Sequence, residues 1–115
     1  AIAIPLGAEQ IRLSAPLAPN SNDKGCGFGG SIASLLTLSG WSLLRSAIQQ
    51  ADIRADIYIQ DSEIRYLKPA WERLIAIALW TAEEHRQWLE MLGSRGKARA
   101  TVTMRLESGG VEAAT

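Results

Sequence analysis

Hydrophobic and polar positions alternate from Ile11 to Leu17, with Ile11, Leu13, Ala15 and Leu17 set against Arg12, Ser14 and Pro16. That period of two predicts a strand. Pro16 and Pro19 end it or confine it to an edge, because proline brings no N–H to a ladder. A glycine-rich stretch, NSNDKGCGFGGS at residues 20–31, comes next, and then the period changes. In SIASLLTLSGWSLLRSAIQQ the residues Ile32, Leu35, Leu36, Leu38, Trp41, Leu43, Leu44, Ala47 and Ile48 lie all round a helical wheel, and Arg45 is the only charge. Such a helix must be enclosed by protein. In so short a chain, only a sheet wrapped around it does that.

The later pattern supplies sheet. In ADIYIQDSEIRYLKPAW, residues 55–71, Ile57 and Ile59 take odd positions while Ile64 and Tyr66 take even ones, which predicts one long strand kinked or bulged near Asp61 and Ser62. RLIAIALWT is apolar on both faces, as a central strand covered on both sides would be. TAEEHRQWLEMLG has Thr81 and Glu84 at capping-box spacing and Gly93 as a C′ residue, so a short second helix is expected, turning Trp88, Leu89 and Leu92 inward. KARATVTMRLE puts Ala98, Ala100, Val102, Met104 and Leu106 on one face of a half-exposed strand. SGG then turns into a last strand starting at Val111. The order is strand, buried helix, then mostly antiparallel strands with one short helix inserted: an α+β domain.

Length and charge narrow the function. At 115 residues the chain is expected to form a single domain, 1–115, with one core. Twelve basic and twelve acidic side chains give no net charge, which argues against a nucleic-acid or acidic-lipid partner. Cys26 is alone, so no internal disulfide is possible and a reducing, cytoplasmic compartment is expected. AIAIPLGAEQ has neither the charged start nor the apolar run of a secretory signal, and its lack of an initiator Met suits a domain cut from a longer chain. The most apolar stretch, residues 31–48, is too short and too polar to span a membrane.

The glycine stretch has three readings. Gly25, Gly27 and Gly30 satisfy the dinucleotide-binding spacing, with Asp52 or Asp61 as the ribose acid, but the chain offers no further strand–helix–strand units to build a crevice. The glycines can simply permit a tight entry into the helix. Alternatively, Gly29 and Gly30, lacking Cβ atoms, leave the first-turn N–H groups open to a carbonyl oxygen gaining negative charge. His85 lies on the second helix, so a Cys26–His85 pair has little support, and Cys26 reads as a structural thiol. No His, Cys and carboxylate cluster has metal-ligand spacing. The four tryptophans read as packing.

NSNDKGCGFGGS, the GW at Gly40–Trp41 and YLKP at residues 66–69 together resemble the hot-dog-fold acyl thioesterases. They are most similar to the thioesterase family often found fused behind a GNAT-type acetyltransferase domain. The resemblance runs from about Ile11 to Thr115 and implies a hot-dog fold, an antiparallel sheet wrapped around a long central helix. It also implies a homodimer joined edge to edge, with the acyl tunnel at the interface, and leaves pairing into tetramers open. The implied substrate is an acyl-CoA or acyl-carrier-protein thioester. Coenzyme A or phosphopantetheine is then part of the substrate, and no separate cofactor is needed.

By that resemblance Asn22 is the loop amide and Gly29 the donor that polarises the thioester carbonyl. Phe28 stands where related enzymes carry His, and Thr37 where they carry the helix acid. Asp23 is then the carboxylate left to orient or activate water, or else an acid satisfied by its own loop. Gly30, Ser34, Thr37 and Trp41 share a helix face by spacing, so Ser34 and Thr37 are candidates to position water or the acyl chain. Phe28, Gly30, Ser31, Ser34 and Lys68 are the candidate substrate contacts. Lys68, Arg65, Arg99 and Arg105 could meet phosphates or simply form a solvated face. The expected activity is thioester hydrolysis. The alternative is a module that binds acyl thioesters, or regulates a fused enzyme, without turnover.

Overall fold

The computed structural model describes the backbone of Ile2–Pro5 and residues 10–115. The rest of the opening stretch, read above for a leader and counted in the 1–115 domain, lies outside the described residues. Strands β1 (Ile2–Pro5) and β2 (Gln10–Ala15) precede the long helix α1 (Gly29–Gln50). Strand β3 (Leu74–Leu79), helix α2 (Ala82–Arg95), β4 (Thr103–Ser108) and β5 (Val111–Ala114) complete the order. All five strands form one antiparallel sheet in the order β1-β2-β3-β4-β5. This is the α+β hot-dog arrangement, with the sheet curved about α1 and α2 as a small extra helix.

Register explains how helix and sheet fit. Leu13 is opposite Ala76, which is opposite Leu106, and Ile11 is opposite Ala78, which is opposite Met104. These residues share the face that meets α1. The small Ala15, Ala76 and Ala78 let the helix sit close, and Leu36, Leu43, Ala47 and Ile48 fill the space with 1% exposure or less. The outer face carries Ile75, Ile77 and Leu79. Ile77 is fully buried although its neighbours across the ladder are Arg12 and Arg105, whose aliphatic stems can cover it. β3 is thus the middle strand of the sheet and apolar on both faces, as its pattern predicts.

Several expectations need correction. Helix α1 is not enclosed on all sides: Ile32, Leu35, Leu36, Ser39, Gly40, Leu43, Ala47 and Ile48 are buried, whereas Leu38 and Trp41 are 44% and 39% exposed. One curved sheet covers one face of a rod. The long strand expected over residues 55–71 forms no ladder beyond Arg65–Leu67, which pair irregularly with Ala113–Thr115. Strand β5 meets this segment only around Tyr66 and Ala114, and Pro69 brings no N–H to carry the pairing further along β5. The change of parity survives in the packing, since Ile53, Ala55 and Ile57 rest on the core and then Ile64 does.

The strand expected from Lys97 begins only at Thr103, because its partner β3 ends at the facing Leu79. Ala98 and Val102 still pack inward, while Ala100 is exposed. Helix α2 passes through Gly93 and stops two residues later, with Gly96 rather than Gly93 taking the left-handed turn at φ 72°. The capping box holds: Glu84 N–H donates to Thr81 Oγ1 at 3.0 Å and Thr81 N–H to Glu84 Oε1 at 2.9 Å. Trp88 and Leu92 are buried as expected, Leu89 packs beside them, and Trp80 stacks on His85 with ring centroids 4.9 Å apart. No helix among the described residues is long and apolar enough to cross a membrane.

Candidate active site

The glycine stretch folds as a miniature hairpin. Ser21 and Gly27 form an antiparallel bridge, Asn22 N–H donates to Cys26 O at 2.8 Å, and Gly25 N–H donates back to Asn22 O at 3.1 Å. The turn needs a left-handed residue at φ 84°, which Gly25 supplies without steric cost. Asn22 Oδ1 accepts Lys24 N–H at 2.9 Å, and its amide nitrogen lies 3.3 Å from the buried Cys26 Sγ. Asn22 is thus folded back on its own turn, with Asp23 and Lys24 exposed at the tip. Gly27 N–H donates to Ala70 O and Phe28 N–H to Asn20 O, both at 2.7 Å, which fixes the direction in which α1 leaves.

Helix α1 starts with Phe28 as N-cap and no side-chain cap. Its first ladder bond runs from Ile32 N–H to Phe28 O at 2.9 Å. The N–H groups of Gly29, Gly30 and Ser31 therefore have no partner among the described residues, and the positive end of a helix of 22 residues stands behind them. Phe28 folds over Gly30, so that a Cβ there would lie only 2.6 Å from the ring. Gly30 cannot take a side chain unless that ring moves.

Beside this turn lies a groove of about 730 Å³. Its walls are Ala15, Pro16 and Pro19 from the end of β2 and the loop after it, Leu74 from β3, and Gly30, Ser31, Ser34, Leu35 and Leu38 from α1. Asn20 and Phe28 close the mouth. No titratable side chain lines it, and its polar groups are the Ser31 and Ser34 hydroxyls and the Asn20 amide. That amide is partly engaged, donating to Pro16 O at 2.8 Å. The arrangement suits a long apolar group with an electron-rich oxygen at the helix end. Among the described residues, no group of three or more His, Cys, Asp or Glu could hold a metal ion.

Of the residues singled out in the sequence, the groove brings together Phe28, Gly30, Ser31 and Ser34. Asn22, Asp23, Gly29, Thr37 and Lys68 stand outside its lining. Thr37 is half-buried one position off the groove face, and Lys68 is exposed on the segment before β3. Trp41 instead lines a second hollow of about 440 Å³ with Arg45, Ala55, Asp56, Ile57 and Tyr58. The face predicted from spacing, 30-34-37-41, is rotated slightly from the observed one, 31-34-35-38. On α1 the missed residues were Leu35 and Leu38, and their spacing of four and seven from Ser31 was the available signal. Tyr66 was also missed as a site residue: its hydroxyl donates to Gly29 O at 3.0 Å.

Three solved structures share this fold over nearly the whole chain. A protein from Shewanella oneidensis described as a "putative thioesterase" is 28% identical with a TM-score of 0.80, over 97% of this chain and 74% of its own. A Pseudomonas aeruginosa protein described as a "probable thioesterase" is 28% identical with a TM-score of 0.82, over the same shares of 97% and 74%. A Chlorobaculum tepidum protein of unknown function reaches a TM-score of 0.86 at 25% identity, over 93% of this chain and 66% of its own. Among curated proteins none matches the sequence significantly. The family model described as "Putative thioesterase (yiiD_Cterm)" matches residues 6–115. A groove that ends on free helix amides, in a chain matched almost from end to end, places this protein in that family of thioester hydrolases.

Proposed function

We propose that the protein hydrolyses acyl-CoA or acyl-carrier-protein thioesters, with the acyl chain in the groove and the thioester carbonyl on the first turn of α1. The observation that carries this reading is the set of unpartnered amides at Gly29, Gly30 and Ser31 beside an apolar groove. The family resemblance implies Gly29 as the carbonyl donor; the groove lining favours Gly30 and Ser31. Water adds to the carbonyl carbon, the oxyanion accepts hydrogen bonds from these amides, and the C–S bond breaks to release acid and thiol. Phe28, Leu35 and Leu38 flank the chain, and the Ser31 and Ser34 hydroxyls hold water or the ester end.

No carboxylate lines the groove; Asp23, the acid nearest the helix start in sequence, is the proposed water-activating group from its exposed turn tip, and Asn22 shapes that turn. Thr37 has no role in this reading. Lys68 is a proposed contact for the phosphates of the carrier. The exposed Phe28, Leu38, Trp41, Tyr58, Ile59 and Trp71 favour a homodimer that covers them, working in the cytoplasm where acyl-CoA is found. Thiol release from a panel of acyl-CoA chain lengths tests the reading. Turnover on at least one chain length is expected, with Asp23→Ala slower by about tenfold or more. Saturable binding without turnover on every chain length would instead favour the non-hydrolytic module.

A further inference from the structure

Tyr66 is separated by 37 residues from the glycine whose carbonyl it holds, yet its hydroxyl donates to Gly29 O at 3.0 Å. A Cβ on Gly29 would lie 3.7 Å from that same oxygen, so the ring rests directly on the first residue of α1. The phenol is not on a loose tether. Arg65 N–H donates to Thr115 O at 2.8 Å, Thr115 N–H to Arg65 O at 3.0 Å, and Leu67 N–H to Ala113 O at 2.8 Å, which pins Tyr66 against the end of β5 on both sides.

The carbonyl of Gly29 and the N–H of Gly30 belong to one planar peptide unit and point in opposite directions. Whatever fixes one fixes the other. Two adjacent glycines have wide conformational freedom, and beyond the helix ladder itself Tyr66 is the side chain that holds this peptide. Donation to its carbonyl also polarises the unit and strengthens its N–H as a donor. We infer that Tyr66 is a positioning residue: by holding the Gly29 carbonyl it aims the Gly30 N–H into the groove and strengthens it as the donor to the thioester oxygen. The inference deepens the thioesterase reading and rests on it. Tyr66 is 54% exposed, so its hydroxyl has no core-packing duty to confuse the test.

The test compares wild type with Tyr66→Phe, which keeps the ring and removes the hydroxyl. With an acyl-CoA that wild type turns over, kcat is expected to fall about 3- to 10-fold while KM stays within about twofold, the mark of an interaction strengthened in the transition state. Amide ¹H–¹⁵N spectra of the ligand-free proteins should show the Gly30 resonance displaced in Tyr66→Phe and that of Ile48, at the far end of α1, unmoved. An unchanged kcat, or a rise in KM alone, overturns the inference. So does an unmoved Gly30 resonance, whatever the activity. If wild type turns over no acyl-CoA, the thioesterase reading fails, and with it the inferred role; a displaced Gly30 resonance would then report only the clamp itself.

Discussion

Gly40 stands in the middle of α1, where a glycine costs the helix about 1 kcal/mol relative to alanine. Its presence there is explained by β4. A Cβ built on Gly40 would lie 2.7 Å from Met104 Sδ, with Met104 Cγ at 3.6 Å and Cε at 3.7 Å. The sulfur is mid-chain, so Met104 cannot yield by swinging its tip alone. It must change rotamer on a half-buried stem opposite Ala78. Overpacking of this kind costs about 1–3 kcal/mol, which exceeds the gain in helix propensity. Gly40→Ala is therefore expected to destabilise the fold by about 1 kcal/mol net, a drop in Tm of roughly 4 °C at this chain length. With Met104→Ala the obstacle is gone, and the same change should stabilise by about 0.5–1 kcal/mol. The assay is thermal and urea unfolding of the four proteins of this cycle, followed by far-UV circular dichroism. Equal effects of Gly40→Ala in both backgrounds, within about 0.3 kcal/mol, would refute the claim that helix–sheet proximity dictates the glycine.

Leu43→Ala, at a fully buried position on α1 in the main core, is expected to cost about 2–5 kcal/mol in urea unfolding, because a close-packed core collapses only partly into the space left. Thr81→Ala removes one half of the capping box and should cost about 0.5–2 kcal/mol, with faster hydrogen exchange confined to the first turn of α2. Glu83 titrates below its usual 4.5, chiefly through its hydrogen bond with Arg86, which also pairs with Glu90. A depressed carboxylate contributes stability above its unfolded pKa and loses it as pH falls through the lower folded value. The α2 signal should thus weaken on acidification below about pH 4.5, and Arg86→Gln should remove part of that sensitivity.

The elements set by local chemistry were legible in the sequence. β3 shows in its unbroken apolar run, the start of α2 in its capping box, and the turn into β5 in its two glycines, Gly109 and Gly110, at φ 58° and 79°. Alternation predicts an extended chain but not its partner. Residues 55–71 keep the inward spacing of a strand, yet only Arg65–Leu67 find partners in a ladder. Gly93 could not be told from Gly96 by composition, since an exposed helix interior tolerates glycine and only the left-handed turn marks the end. At the site, the glycine pair at the helix start located the free amides, and the family resemblance with the helix spacing gave four of the groove residues. It could not show that Asn22 bonds to its own turn, because a side chain that folds back reads the same as one that reaches out. Nor could it reveal Tyr66, whose contact depends on where β5 brings the chain.

The register of β2 against β3 has a consequence for how the chain reaches this fold. Ala15 lies beside Leu74, but the whole of α1 and the extended stretch after it separate them in sequence. Closing so large a loop costs entropy before any ladder bond repays it, whereas β3, β4 and β5 are joined by shorter excursions. The three-stranded meander is thus expected to zip first and β2 to dock last, sealing the groove wall of Ala15, Pro16 and Leu74 only as folding finishes. Mutational rate analysis should then find Leu106 near the nucleus and Leu13 outside it.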